Sequence, residues 1–211
     1  MHNFVILEGG DGTGTSTQLT LLKQRSALAG NGFPFHSTFE PTENPIGRLI
    51  RSALRKEPEL LPQTIARLFS ADRAEHLYGP GGIQELCADN RLVVCDRYVP
   101  SSLVYQGLEC GDELPQALNR DFPRPQMILY FDIDPQTAAE RFSSRSVKDV
   151  YERLDFQVRV HQGYERVLPM YCSRDGNGEE VRLIRIDAEK TIEEVAEQVW
   201  SALKSLPILG A

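Results

Sequence analysis

The stretch Phe4-Val5-Ile6-Leu7-Glu8-Gly9-Gly10-Asp11-Gly12-Thr13-Gly14-Thr15-Ser16-Thr17-Gln18 decides the fold. A short apolar run leads into a glycine-rich turn and then a helix-length segment. Such a turn lets backbone N–H groups converge on a phosphate, and the helix N-terminus adds the positive end of its dipole. The spacing Gly-x-x-x-x-Gly-Lys-Ser/Thr is met at Gly9, Gly14 and Ser16, but residue 15 is threonine. The lysine that would reach the outer phosphates of a nucleotide is replaced by Thr15.

The backbone cradle survives that replacement, because it needs only the glycines and the turn. Gly9, Gly10, Asp11, Gly12, Thr13, Gly14, Thr15, Ser16 and Thr17 are therefore the candidate site for a phosphoryl donor. Ser16 can ligate Mg²⁺ through its hydroxyl. What is lost is one mobile positive charge on the transferring phosphate. Stabilising developing charge is the main service of a phosphoryl-transfer site, so the loss costs on the order of a hundredfold in rate unless another cation takes over.

Outward from this stretch, apolar runs alternate with amphipathic segments of helical length. That alternation predicts an α/β chain with a five-stranded parallel sheet flanked by helices, in a single domain over 1–211. The predicted strands are Phe4–Leu7, Pro34–Phe39, Leu92–Cys95, Met127–Ile133 and Val181–Ile186. The continuous apolar run at 127–131 predicts a central strand buried on both faces. The predicted helices are Ser16–Ala29, Pro45–Leu54, Gln63–Leu77, Pro135–Ser143, Asp155–Tyr171 and Ile192–Leu203. The last carries an apolar stripe at Ile192, Val195, Ala196, Val199, Trp200 and Leu203, with Trp200 as a core anchor. Gly79-Pro80-Gly81-Gly82 breaks the helix before it, and Asp175-Gly176-Asn177-Gly178 reads as a surface turn.

Composition narrows the function classes. The chain has 211 residues, with 23 Lys plus Arg against 30 Asp plus Glu, a formal charge of −7. An acidic chain lacks the basic face that displaces phosphate counterions, so no nucleic-acid partner is expected. Hydrophobic residues at 41% and charged residues at 25% mark a globular chain. Cys87, Cys95, Cys110 and Cys172 have no C-x-x-C spacing, which argues against a disulfide framework or structural zinc. No apolar stretch approaches the roughly 20 residues that span a bilayer, and the first residues lack signal-peptide character. No membrane partner and a cytoplasmic location are expected.

A second motif follows the third predicted strand: Asp96-Arg97-Tyr98, then Ser101-Ser102 and Tyr105-Gln106-Gly107. In parallel sheets, ligands sit outside the carboxyl ends of strands, where Asp96 can hold Mg²⁺ and Arg97 can grip phosphates. The two motifs together resemble the thymidylate kinase family, which phosphorylates dTMP with ATP and Mg²⁺, and the resemblance implies the P-loop NTPase fold. Further likeness comes from Leu68-Phe69-Ser70-Ala71-Asp72-Arg73-Ala74-Glu75-His76, from Glu40-Pro41-Thr42, and from Leu154-Asp155-Phe156 with Val160 and Tyr164. The likeness runs from about Phe4 to the last helix. It departs from the family's pattern at Thr15 and at Phe39, where many members have arginine.

The resemblance implies roles residue by residue. Phe69 stacks on the thymine ring. Arg73, four residues on and so on the same helix face, donates to a base carbonyl. Ser101, Ser102, Tyr105 and Gln106 line the nucleoside pocket with Glu40 and Pro41, and the bulk of Tyr105 opposes a 2′-hydroxyl. Asp11 lies near the sugar or acceptor phosphate, and Arg97 holds phosphates of both substrates. Ser16 and Asp96 are the metal ligands. A lid over about 142–153 closes over ATP and excludes water. Because the phosphate loop carries no arginine, catalytic charge is expected from the lid region, from Arg145 first, then Arg141 and Arg153. A homodimer is also implied. Two alternatives stay open on sequence: a related kinase of other (deoxy)nucleotide specificity, or a nucleotide-binding protein whose catalysis is impaired by Thr15. His36, His76 and His161 stand isolated and are assigned no catalytic role.

Overall fold

The computed structural model describes residues 1–28, 34–142, 154–173 and 180–209. Five parallel strands form one sheet: β1 (Phe4–Glu8), β2 (Phe35–Phe39), β3 (Leu92–Asp96), β4 (Met127–Asp132) and β5 (Arg182–Asp187). Their spatial order is β2-β3-β1-β4-β5. Register pairs Leu7 with Asp96 on one side and with Leu129 on the other. The carboxyl ends of β1 and β3 therefore lie side by side, and both sequence motifs begin there.

Helices cover both faces. Toward one face pack α2 (Pro45–Leu54), α3 (Pro62–Tyr78), α4 (Ile83–Ala88), α5 (Val99–Cys110) and α8 (Leu154–Cys172), against Phe4, Ile6, Val93, Cys95, Ile128 and Tyr130. Toward the other pack α1 (Thr15–Leu28), α7 (Pro135–Phe142) and α9 (Ile192–Lys204), against Val5, Leu7, Val94, Leu129 and Phe131. A short α6 (Glu113–Asn119) continues from α5. Alternate residues of each central strand feed opposite cores, as the period of two requires. β1 and β3 are buried throughout, and β4 is buried over Met127–Phe131, as its apolar run predicts.

The predicted strands lie within about a residue of those observed. Three helices, α4, α5 and α6, were not predicted. In α9 the stripe holds at Val195, Val199 and Leu203, while Ile192, the helix's first residue, stays 55% exposed. Trp200 packs on that core and is covered by the Arg25 guanidinium at 4.4 Å. The Gly79–Gly82 break separates α3 from α4, as expected. The predicted turn at 175–178 and the lid, apart from Phe142, lie outside the described residues.

Candidate active site

The loop after β1 takes its shape from its glycines. Gly12 and Gly14 have φ of 83° and 95°, in the left-handed region that favours glycine. At Gly9 a side chain is excluded by contact: a Cβ there would lie 2.7 Å from the Thr13 hydroxyl and 3.2 Å from the Phe131 carbonyl. Thr13 Oγ1 donates to the Gly10 carbonyl at 2.9 Å. α1 begins at Thr15, which is buried, and Thr17 lies in its first turn. The N-terminus of α1 thus opens directly from the loop.

Ser16 and Asp96 meet across the strand ends, the serine hydroxyl donating to Asp96 Oδ2 at 2.6 Å. Asp96 Oδ1 is buried with no hydrogen-bond partner among the described residues. An all-oxygen pair with one unsatisfied carboxylate oxygen is the donor chemistry a hard divalent cation takes.

Arg97 follows in a left-handed conformation, φ 70°. Its Nη1 donates to the Gly9 carbonyl at 3.1 Å and to Ser101 Oγ at 3.3 Å, and its Nη2 pairs with Asp11 at 2.6 Å. The guanidinium also lies 5.0 Å over the Tyr105 ring. Burial works against its charge, but Tyr105, Asp11, Tyr164 and Asp96 outweigh burial and hold it above the ordinary arginine range. Asp11 is fixed from three directions: by Arg97, by the Tyr105 hydroxyl at 3.3 Å, and by Gln157. Gln157 donates to Asp11 Oδ2 at 2.9 Å and accepts the Asp11 N–H at 3.1 Å.

Beside Arg97 opens a cavity of about 150 Å³. It is lined by Asp11, Glu40, Pro41, Phe69, Arg73, Arg97, Ser101, Ser102, Tyr105 and Gln106, together with Leu54 and Tyr98. Every residue predicted to bind the nucleotide acceptor is therefore brought to one wall or another of it. Arg73 is buried rather than solvated. Its Nε donates to Glu40 at 2.9 Å, Nη2 donates to Ser102 at 3.0 Å, and Nη1 donates to Asn119. Its charge is opposed by burial and sustained chiefly by Glu40. Gln106 presents a buried carbonyl oxygen with no partner among the described residues.

Sequence reasoning missed the layer behind this cavity. Asp72 accepts the Thr42 N–H at 2.7 Å and its hydroxyl at 2.6 Å, which fixes the loop after β2. His76, read as isolated, lies 3.2 Å from Glu40 and 2.6 Å from the Thr38 hydroxyl. Arg51 of α2 stacks on Phe39 at 5.5 Å, the position where the family often has arginine. None of these has a local signal, because each partner is distant in sequence. Arg141 is not part of the cavity; it donates to the carbonyls of Ala188 at 2.7 Å and Glu189 at 3.3 Å. Arg145 and Arg153 lie outside the described residues.

The model of the thymidylate kinase family matches residues 7–199, which span both motifs and the whole cavity. This chain belongs to the thymidylate kinase family. A thymidylate kinase of Synechococcus sp. (strain JA-3-3Ab) is 34% identical over 206 residues, covering 95% of each chain. A Treponema pallidum (strain Nichols) relative, provisionally named for the same activity, is 40% identical over 209 residues, covering 97% of this chain and 96% of its own. Among solved structures, a thymidylate kinase from Candida albicans superimposes with a TM-score of 0.78 at 25% identity, over 99% of this chain and 93% of that one.

Proposed function

We propose that this chain transfers the γ-phosphoryl group of ATP to dTMP, giving dTDP, in the synthesis of dTTP. The observation that carries the reading is the cavity. An aromatic ring, a buried arginine and an amide whose oxygen is unpartnered among the described residues line it, while Arg97 and Asp11 join it to the phosphate loop. A pyrimidine dione offers a flat face, carbonyl acceptors and one N–H donor. Phe69 suits the face, Arg73 with Ser102 suits a carbonyl, and the unpaired oxygen of Gln106 suits the N–H. Cytosine presents the opposite pattern at those atoms and would leave buried groups unpaired. Tyr105, held against Asp11 and Arg97, supplies the bulk beside the sugar.

ATP phosphates fit the loop from Gly9 to Thr17 through backbone N–H groups and the α1 N-terminus. Arg97 lies between the loop and the cavity, in reach of phosphates on both sides. Ser16 and Asp96 would hold Mg²⁺, which when bound neutralises charge on the donor phosphates. The acceptor is a phosphate oxygen, ionised at neutral pH, so transfer needs no strong general base. Arg145, Arg141 and Arg153 are proposed to bring further charge to the donor when the lid region closes. We also propose a homodimer and a cytoplasmic location; among the described residues no helix is long and apolar enough to cross a membrane.

The test is a coupled ADP-release assay with ATP and Mg²⁺, running dTMP, dUMP, dCMP and dGMP separately. Turnover of dTMP above dCMP and dGMP is expected. Turnover of another nucleotide in preference to dTMP would overturn the specificity. Silence with all four, while Thr15→Lys turns over dTMP, would show a site whose chemistry was lost at one residue.

A further inference from the structure

Glu8 ends β1 and is fully buried, yet it does not line the cavity. Its carboxylate gathers three donors. Oε1 accepts the Tyr98 N–H at 2.9 Å; Oε2 accepts Ser101 Oγ at 2.7 Å and the Tyr164 hydroxyl at 3.0 Å. Two of these donors belong to the segment that carries Arg97. Ser101 Oγ is also the acceptor for Arg97 Nη1. The left-handed backbone of Arg97 is strained for a residue with a Cβ, and it persists only where its surroundings fix it. Three contacts do so here: the Arg97 N–H donates to the Leu7 carbonyl at 2.9 Å, the Cys95 thiol donates to the Arg97 carbonyl at 3.1 Å, and the next N–H, that of Tyr98, ends on Glu8.

The protonation state of Glu8 matters to this arrangement. An ionised carboxylate takes the Ser101 proton and leaves a serine lone pair for Arg97. A protonated Glu8 must itself donate, and its nearest acceptors are the oxygens of Ser101 and Tyr164, which lie 2.9 Å apart, so the serine proton turns away from Glu8 and Arg97 shares the serine lone pairs with a second donor. We propose that Glu8 is a positioning residue for phosphoryl transfer: its ionised carboxylate, acting through Ser101 and the Tyr98 N–H, holds Arg97 in the turn that aims its guanidinium across the phosphate loop. This rests on the reading of the site as a dTMP kinase in which Arg97 holds phosphates.

Burial pushes the Glu8 carboxyl up to about 7, against the pull of Ser101, Arg97, Tyr164 and Tyr98. The other titratable groups around it are Cys95 on β3, Tyr98 and Tyr105 of the α5 segment, Tyr130 on β4, and Tyr164 and Tyr171 on α8. Burial raises each of them, so they stay neutral while Arg97 stays charged. Glu8 is the member of this group that changes charge near neutrality.

The experiment is kcat at saturating ATP and dTMP from about pH 6 to about pH 9 for the wild type, Glu8→Gln, Ser101→Ala and the double variant. At the alkaline end Glu8→Gln is expected to lose about tenfold in kcat, with KM for dTMP changed less than about threefold. The ratio of wild type to variant should fall toward one below about pH 7, because the protonated acid then resembles the amide. The ratio is read rather than the wild-type profile, since the substrate phosphate itself titrates near about pH 6. Ser101→Ala should lose a similar factor, and the double variant no more than the worse single one. An unchanged kcat in Glu8→Gln, a deficit independent of pH, or additive losses would overturn the proposal. Should Glu8→Gln not fold, Ser101→Ala carries the test, and an unchanged kcat there overturns it too. A wild type that turns over no dTMP would overturn the functional reading and this proposal with it; an active wild type with indifferent variants overturns this proposal alone.

Discussion

Truncating Arg73 separates its hold on the fold from the reading of the base proposed for it. Its side chain is 1% exposed and that of Glu40 is 2% exposed, and the two pair at 2.7 Å. Removing one partner from so buried a pair leaves an uncompensated charge and costs about 3–5 kcal/mol. Arg73→Ala also strips a donor from Ser102 and Asn119, each worth about 1 kcal/mol. The expected loss is about 4 kcal/mol or more, a large share of the total stability of an ordinary domain. Urea unfolding followed by the fluorescence of Trp200, the sole tryptophan, would measure it from α9, on the opposite face of the sheet. Replacing both partners, Glu40→Gln with Arg73→Met, removes both charges at similar volume and should restore most of the stability. It should not restore recognition: KM for dTMP is expected to stay at least about tenfold raised, because the donor to the base is still missing. A stability loss below about 1 kcal/mol in Arg73→Ala would refute the energetic argument. A double variant with wild-type KM for dTMP would refute the role of Arg73 at the base.

Thr15→Lys should raise turnover in the ADP-release assay, by at most roughly a hundredfold, as the phosphate loop gains a charge on the outer phosphates; an unchanged rate would mean that other groups already supply all of it. Glu8 also has a stability signature. Its carboxyl lies at about 7 in the folded chain against an ordinary 4.5, so its contribution is fully present below about pH 4.5 and lost as pH rises through about 7. Glu8→Gln should therefore be more stable than wild type at about pH 8, by up to about 3 kcal/mol, with the gap closing toward about pH 5; urea midpoints at the two pH values check the sign. Gly47→Ala should destabilise by about 2 kcal/mol or more, since a Cβ there would overlap the Thr42 carbonyl, which is backbone and cannot swing aside, and thermal denaturation would show it.

The sheet was legible because its buried strands are short apolar runs closed by turn residues, and because β1 and β3 end in recognisable motifs. The helices α1, α2, α3, α7, α8 and α9 were legible from their patterning. α5 was not, for a physical reason. Val99, Ser101, Ser102, Val104, Tyr105, Gln106 and Gly107 are all buried and only Glu109 is exposed, so it has too little solvent face to show a stripe. Its Pro100, which reads as a breaker, sits harmlessly in the first turn. α4 and α6 have 6 and 7 residues, too few for a period to emerge. In the site, the cavity residues were found through motifs that are local in sequence. The residues that orient them were not, because Gln157 meets Asp11 across 146 positions and Ser101 meets Glu8 across 93. No window along the chain contains both ends of such a pair.

The charge balance of the site says what the missing lysine entails. Among the described residues, the arginines that meet Glu8, Asp11, Glu40 and Asp96 around the cavity and the loop are Arg73 and Arg97. Arg73 is committed to Glu40, so the phosphate end is left with Arg97 against Asp11, Asp96 and the buried Glu8. Arg97 is itself paired to Asp11, which Gln157 and Tyr105 keep in place, so an arriving phosphate must share the guanidinium with a carboxylate rather than displace it. A polyanion bound there meets a local excess of negative charge in a chain whose formal charge is already −7. Backbone dipoles offset part of it, but their charge is fixed and fractional. On the function proposed above, the remainder arrives with the substrate as a divalent cation or from Arg145, Arg141 and Arg153. Turnover in this chain should therefore depend more steeply on Mg²⁺ concentration than turnover of its own Thr15→Lys variant, in which the loop carries a cation of its own.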